Sequence, residues 1–325
     1  MPPFRLVAAL LFALAAAPAA LAQAPATYPD HPLRIIVPFP PGGPADALAR
    51  IAGEQLTQVL GQSVVVENKA GAGGNIGMEQ GAKAAADGYT LTLAPVGNLT
   101  VSPYIYSRLP YDPVRDFAPV TVLAAVPNVL VVHPSVPVHS LRELIDLAKA
   151  KPGTLNYASP GNGSGPHLAG ELLKRMAGID LVHVPYSGVA PAMGGVLAGD
   201  VQLFFAQSSV ALPQARAGHV RALGVASAKR VAAAPDLPTL SESGLPGFDV
   251  TSWYSIVVPA ATPPERIARL QSAIARGFAR PAVRERIAGL GAEPVADTPA
   301  EFAALLKSES ARWQALARDA NIKAD

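Results

Sequence analysis

The sequence predicts an α/β fold with largely parallel sheets, shared between two lobes. Short apolar, β-branched runs alternate with amphipathic stretches along the chain, and strand–helix–strand alternation with buried strands marks this class. There are too many such runs for one compact sheet. A long apolar stretch at 120–133 also sits mid-chain, where a pair of strands can cross between lobes.

The elements follow in order. The run LRIIVPF at 33–39 is a buried strand, and it ends in the loop PPGGPAD at 40–46. Apolar spacing then predicts a helix over 45–60. Further strands are expected at 63–67, 90–95, 120–123, 129–133, 155–158, 181–184, 201–205, 221–226 and 255–258. Further helices are expected at 78–85, 141–149, 167–176, 191–198, 264–278, 282–290 and 299–320. Thr262-Pro-Pro-Glu265 and Thr298-Pro-Ala-Glu301 each place a hydroxyl three residues before a carboxylate, with Pro at the first helical position. Both read as capping boxes, and the C-terminal helices read as scaffold. The 33 prolines fall mostly between periodic segments and punctuate the chain.

Residues 1–22 have one early positive charge (Arg5), an apolar run, and the small-x-small ending Ala20-Leu21-Ala22. That is the pattern of a secretory leader cleaved after Ala22, so the mature chain is expected to be exported. The run is too short for a confident membrane span. The 325-residue chain is long enough for two domains after the leader is removed. Half of it is apolar and 15% is charged, which supports a large core. A net charge of +2 without a Lys/Arg block gives no reason to expect nucleic acid. With no cysteine, disulfides, thiolate metal sites and cysteine nucleophiles are impossible. Six scattered histidines show no metal-ligand spacing, so neither metal nor cofactor is expected.

Three glycine-rich loops can hold a ligand. In the first, Phe39, Pro40, Pro41, Gly42 and Gly43 expose backbone ahead of a helix whose N-terminus favours an anion, and Asp46 holds the loop or caps it. The same composition also suits an ordinary turn. The second, NKAGAGGNIG at 68–77, lacks both the dinucleotide fingerprint and the phosphate-loop ending, but Asn75 offers a side-chain amide. The third runs SPGNGSGPH at 159–167, with Ser159, Gly161, Gly163, Ser164, Gly165 and His167 forming another anion cradle. His167 at a helix start is expected neutral, either touching ligand or packing beneath the loop. A shorter segment repeats the theme with Tyr186, Ser187 and Ala190. Loops at the C-terminal ends of strands suit a ligand in a crevice between lobes. Neither Ser164 nor Ser187 lies in a Gly-x-Ser-x-Gly elbow. A Ser164/His167 pair is better explained by capping, which leaves an exported hydrolase as the least supported reading.

With these residues in view, the chain resembles the solute-binding proteins of tripartite tricarboxylate transporters, the Bug or TctC-like family. The resemblance rests on segments 28–46, 66–77, 157–168, 184–192, 235–244 and Ser252-Trp-Tyr254, in the family's order. It implies a two-domain periplasmic binding protein fold of type II, with the ligand cleft between domains. It also implies domain one over 23–121 and 226–325 and domain two over 122–225. The implied role is a non-enzymatic, monomeric receptor that takes a small carboxylate to membrane transporter subunits. The alternative is a receptor that signals to a membrane sensor kinase. Two departures stand out: Ala45 where the family often has Thr or Ser, and Ala206 and Gln207 where it often has Asp. A missing carboxylate disfavours an ammonium group and relieves repulsion of an anion, so a carboxylic acid without an amino group, and with an apolar body, is expected.

Overall fold

The computed structural model describes residues 28–319 and 321–324. The leader and its cleavage after Ala22 lie outside the described residues.

Strand β1 (Leu33–Val37) lies parallel between β2 (Val64–Asn68) and β3 (Thr90–Pro95). On the far side, β5 (Asn156–Ser159) lies parallel between β6 (Val182–Pro185) and β7 (Leu203–Gln207). Two antiparallel strands join these parallel groups. β4 (Phe117–Val132) pairs with β9 (Thr251–Pro259) over residues 117–127, then with β7 over 128–132. β9 carries the ladder on to β3. β8 (Arg221–Val225) and β10 (Glu293–Pro294) pair with β4 off this path. The architecture is thus α/β, with two half-sheets sharing one long strand.

The sequence predicts two strands where β4 is a single one of 16 residues. Ala124, Ala125, Pro127 and Asn128 are poor strand formers, but β9 pairs alongside and overrides local preference. Pro127 has no N–H to donate and stands where the ladder changes partner. Next to it, the buried Asn128 amide donates to Val250 O (3.2 Å) and Ser252 Oγ (3.1 Å), pinning the crossover.

Eleven helices flank the sheets among the described residues: α1 (Pro44–Leu60), α2 (Asn75–Ala82), α3 (Val96–Thr100), α4 (Ser102–Ile105), α5 (Leu141–Ala150), α6 (Gly165–Ala177), α7 (Val189–Ala198), α8 (Ser208–Arg216), α9 (Pro264–Phe278), α10 (Pro281–Gly289) and α11 (Pro299–Asp319). The amphipathic ones form as expected. In α5, Leu141, Leu144 and Ala148 are buried at helical spacing and Ser140 accepts from the Glu143 N–H. The expectations omit α3, α4 and α8; the first two are short, and α8 contains Pro213. The Thr298–Glu301 capping box forms in both directions (2.8 and 3.2 Å). The expected box at Thr262 does not, because α9 starts one residue later with Pro263 as its N-cap. The buried Thr262 hydroxyl is left without a partner.

One core cluster joins β1, β3, β9 and the first half of β4 to α1 and α9; another joins the second half of β4, β5 and β7 to α5 and α6. Helix α11 serves both halves of the molecule. Phe302 near its start packs edge-on against Trp253 at 5.7 Å, and Trp313 and Leu316 near its end join the second cluster.

Candidate functional site

Five strands run directly or through a short loop into a helix: β1 into α1, β3 into α3, β5 into α6, β6 into α7 and β7 into α8. Their C-terminal ends meet around one cavity of about 60 Å³. Its walls come from Phe39, Pro40, Pro41, Gly43, Pro44 and Ala45; from Pro95, Val96, Gly97 and Asn98; from Pro160, Ser164, Gly165 and Pro166; from Gly188, Val189, Ala190 and Pro191; and from Gln207, Ser252, Trp253 and Tyr254. No Asp, Glu, His, Lys or Arg stands among them. The field there is set by helix N-termini, whose first-turn N–H groups have no acceptor inside the helix. Four of these helices, α1, α6, α7 and α8, exceed two turns. Their arrangement suits an anion desolvated by apolar walls and met by neutral donors.

The residues named from the sequence divide into two groups. Phe39, Pro40, Pro41, Gly43, Ser164, Gly165 and Ala190 line the cavity. The others stand behind or beside it. Gly42 takes a left-handed conformation (φ 89°) and donates its N–H to Asp46 Oδ2 at 3.2 Å. Asp46 also accepts from Arg50 Nε (3.1 Å) and Asn68 Nδ2 (3.0 Å), which ties the loop to α1 and β2. Burial raises the Asp46 pKa, but these hydrogen bonds outweigh it and hold the carboxyl below its ordinary range. Asn75 Oδ1 accepts from Asn98 Nδ2 and from the Tyr111 hydroxyl, both at 2.9 Å. Asn75 thereby orients Asn98, which does line the cavity. Lys69 is paired with Glu67 (3.7 Å) outside the lining.

Beneath the 159–167 loop, Ser159 Oγ donates to Gly161 O (3.1 Å) and lies 2.6 Å from His183 Nε2. Gly163, at φ 77°, donates its N–H to His167 Nδ1 at 3.0 Å. The His167 ring stacks on His183 with centroids 4.0 Å apart. Burial, and then the Lys174 charge, push its pKa down to about 3; burial does the same to His183. His167 is therefore a neutral imidazole that accepts from the backbone and packs under the loop. Ser164 donates to Gly161 O (2.7 Å) and accepts from the His167 backbone N–H (3.4 Å), so neither bond engages the ring. This is the capping geometry. Tyr186 is half-buried and Ser187 exposed on the turn before α7.

The sequence reading does not single out Gly97, Asn98, Ser252, Trp253 or Tyr254 as site residues. The strand-to-helix junction at 95–98 has no glycine-rich loop to draw attention to it. Residues 252–254 arrive from a strand remote in sequence. Of the two departures at the end of β7, Ala206 packs into the core and Gln207 faces the cavity.

Across the cleft the two halves meet at glycines. A Cβ on Gly97 would overlap the Gly163 carbonyl, and one on Gly161 would lie 3.0 Å from Gly73 Cα. Gly188 packs similarly near Pro40, at 3.4 Å from such a Cβ.

The model of the tripartite tricarboxylate transporter family receptor, TctC, matches residues 48–322. BugT of Bordetella pertussis is 38% identical over 324 residues, covering 98% of both chains. A protein encoded in the tcbD-tcbE intergenic region of Pseudomonas sp. is 40% identical over 92% of this chain and 89% of its own. Among solved structures, Rpa4515 of R. palustris with adipate superposes with TM-score 0.87 at 36% identity, over 91% of this chain and 99% of that one. MatC from Rhodopseudomonas palustris with bound malate gives 0.84 at 34% identity, over 89% and 99%. The fold is thus that of the periplasmic binding proteins, and the chain belongs to the TctC/Bug family of solute-binding receptors.

Proposed function

We propose that this chain is a non-catalytic periplasmic receptor that captures a small organic acid between two lobes and passes it to the membrane subunits of a tripartite tricarboxylate-type transporter. The observation that carries the reading is the cavity itself: helix N-termini converge on an apolar space with no charged side chain in its walls. Such a site favours a carboxylate through backbone N–H groups and dipoles, and offers nothing to neutralise a cation. Relatives solved with adipate and malate support the ligand class. The proposed lobes follow the division expected from the sequence, with β4 crossing between them. The glycine contacts across the cleft support a closed arrangement reached by hinge motion. No helix among the described residues is long and apolar enough to cross a membrane.

The test is a thermal-shift screen of the mature chain against mono-, di- and tricarboxylates, aromatic acids and amino acids. A ligand at 100 times its Kd adds about 2.7 kcal/mol, enough to move Tm by several degrees. A shift with one class of acid is the expected result. No shift with any acid, together with no heat of binding in calorimetry, would overturn the reading.

A further inference from the structure

Gln207, the last residue of β7, lines the cavity and is 1% exposed. Its Nε2 donates to the Tyr254 hydroxyl at 3.2 Å, while its Oε1 is buried without a partner. The other amide and the two serines of the wall are engaged elsewhere. Asn98 donates to Gly73 O and Asn75 Oδ1, Ser164 is held by its own loop, and Ser252 bonds Asn128. Trp253 Nε1 also lacks a partner, but its ring packs edge-on against Phe302 within a cluster separate from that of Tyr254. Gln207 is thus a buried amide beside the ligand space with half of its hydrogen-bonding capacity unused.

Tyr254 lets that amide work in two ways. As it stands, the hydroxyl accepts from Nε2 and leaves Oε1 to receive a donor. If the amide turns over, the hydroxyl donates to Oε1 and leaves an N–H to give. A hydroxyl or carboxamide satisfies both arrangements. An ammonium satisfies only the first, and would be buried without a counter-charge. A carboxylate satisfies only the second. The geometry points to Gln207, backed by Tyr254, as a second recognition point for a neutral hydrogen-bonding group, so that the preferred ligand is a monocarboxylic acid bearing a hydroxyl or carboxamide. This rests on the carboxylate reading above and names the chemistry of the ligand's other end.

The experiment is calorimetry on the mature chain with two matched series. One is 4-hydroxybutyrate, succinamate, succinate, 4-aminobutyrate and butyrate; the other is the corresponding six-carbon set. In at least one series the hydroxyl or carboxamide member binds about tenfold or more tighter than the unsubstituted acid, and tighter than the diacid and amino acid. In Gln207→Leu that preference collapses toward unity. In Gln207→Glu it shifts to the amino acid, which shows that a folded variant reads the same position. A diacid or amino acid as the tightest ligand of the wild type, or a preference unchanged in Gln207→Leu, would overturn this inference and leave the receptor reading standing. Binding of no acid in either series would overturn this inference, and the receptor reading falls with it only if the wider screen above also finds no ligand.

Discussion

Removing the Asp46 carboxylate is the sharpest perturbation of the loop at 40–43. Three donors converge on it: the Gly42 N–H, Asn68 Nδ2 and the Arg50 guanidinium. The Arg50 side chain is 51% exposed, so that pair adds only ~0.3–0.5 kcal/mol. The other two bonds go to a buried charge and contribute ~1.5 kcal/mol each, the low end for charged acceptors. Asp46→Ala should therefore cost about 3 kcal/mol, a fall in Tm of about 5 °C by calorimetry or fluorescence. Asp46→Asn should cost less, since one oxygen still accepts. The sign of the pH dependence follows. The folded-state pKa lies below the unfolded value of about 3.9, so the difference between wild type and Asp46→Asn is fully present above that pH and vanishes as pH falls through the folded value. A loss below about 0.5 kcal/mol, or a difference independent of pH, would show that the loop is held by something else.

Other outcomes follow from the same structure. Ser164→Ala should lose a helix cap worth about 1 kcal/mol in chemical denaturation; an esterase activity that disappears in this variant would instead contradict a receptor. His167 and His183, held neutral with pKa values near 3, should show no NMR titration between pH 5 and 8, and stability should decline as pH falls below about 6.5, where the unfolded imidazoles begin to take up protons. Gly97→Ala should hold the two halves apart, seen as a larger radius of gyration by X-ray scattering in the presence of ligand and a weakened affinity. Thr262→Val removes a buried hydroxyl that has no partner and should be neutral or stabilising by about 1 kcal/mol in urea unfolding.

Much of the site was legible because its chemistry is local. Glycine and proline after an apolar run mark a strand turning into a helix, and that turn is what exposes N–H groups. The loops at 40–46 and 159–167 were readable in this way. Asn98 and Tyr254 were not, because neither sits in a composition that differs from ordinary core, and Gln207 stood out only as a departure from the family's pattern. Their common wall exists only where β3 and β7 end beside the start of β9. Side-chain direction was also hidden: at the end of β7 one residue decides whether an alanine or an amide reaches the cavity.

The sequence by itself determined the α/β class, the amphipathic helices and the anion-favouring turns, since periodicity and backbone freedom are properties of short segments. Only the tertiary structure decided that residues 117–132 are one strand, because its weak middle is held by pairing with β9 rather than by propensity. It likewise decided that His167 is a packing group, since its burial and its stacking on His183 come from outside the loop that carries it. The cavity belongs to that second kind of fact. Five helix ends create it jointly, and no single segment contains the field that they share.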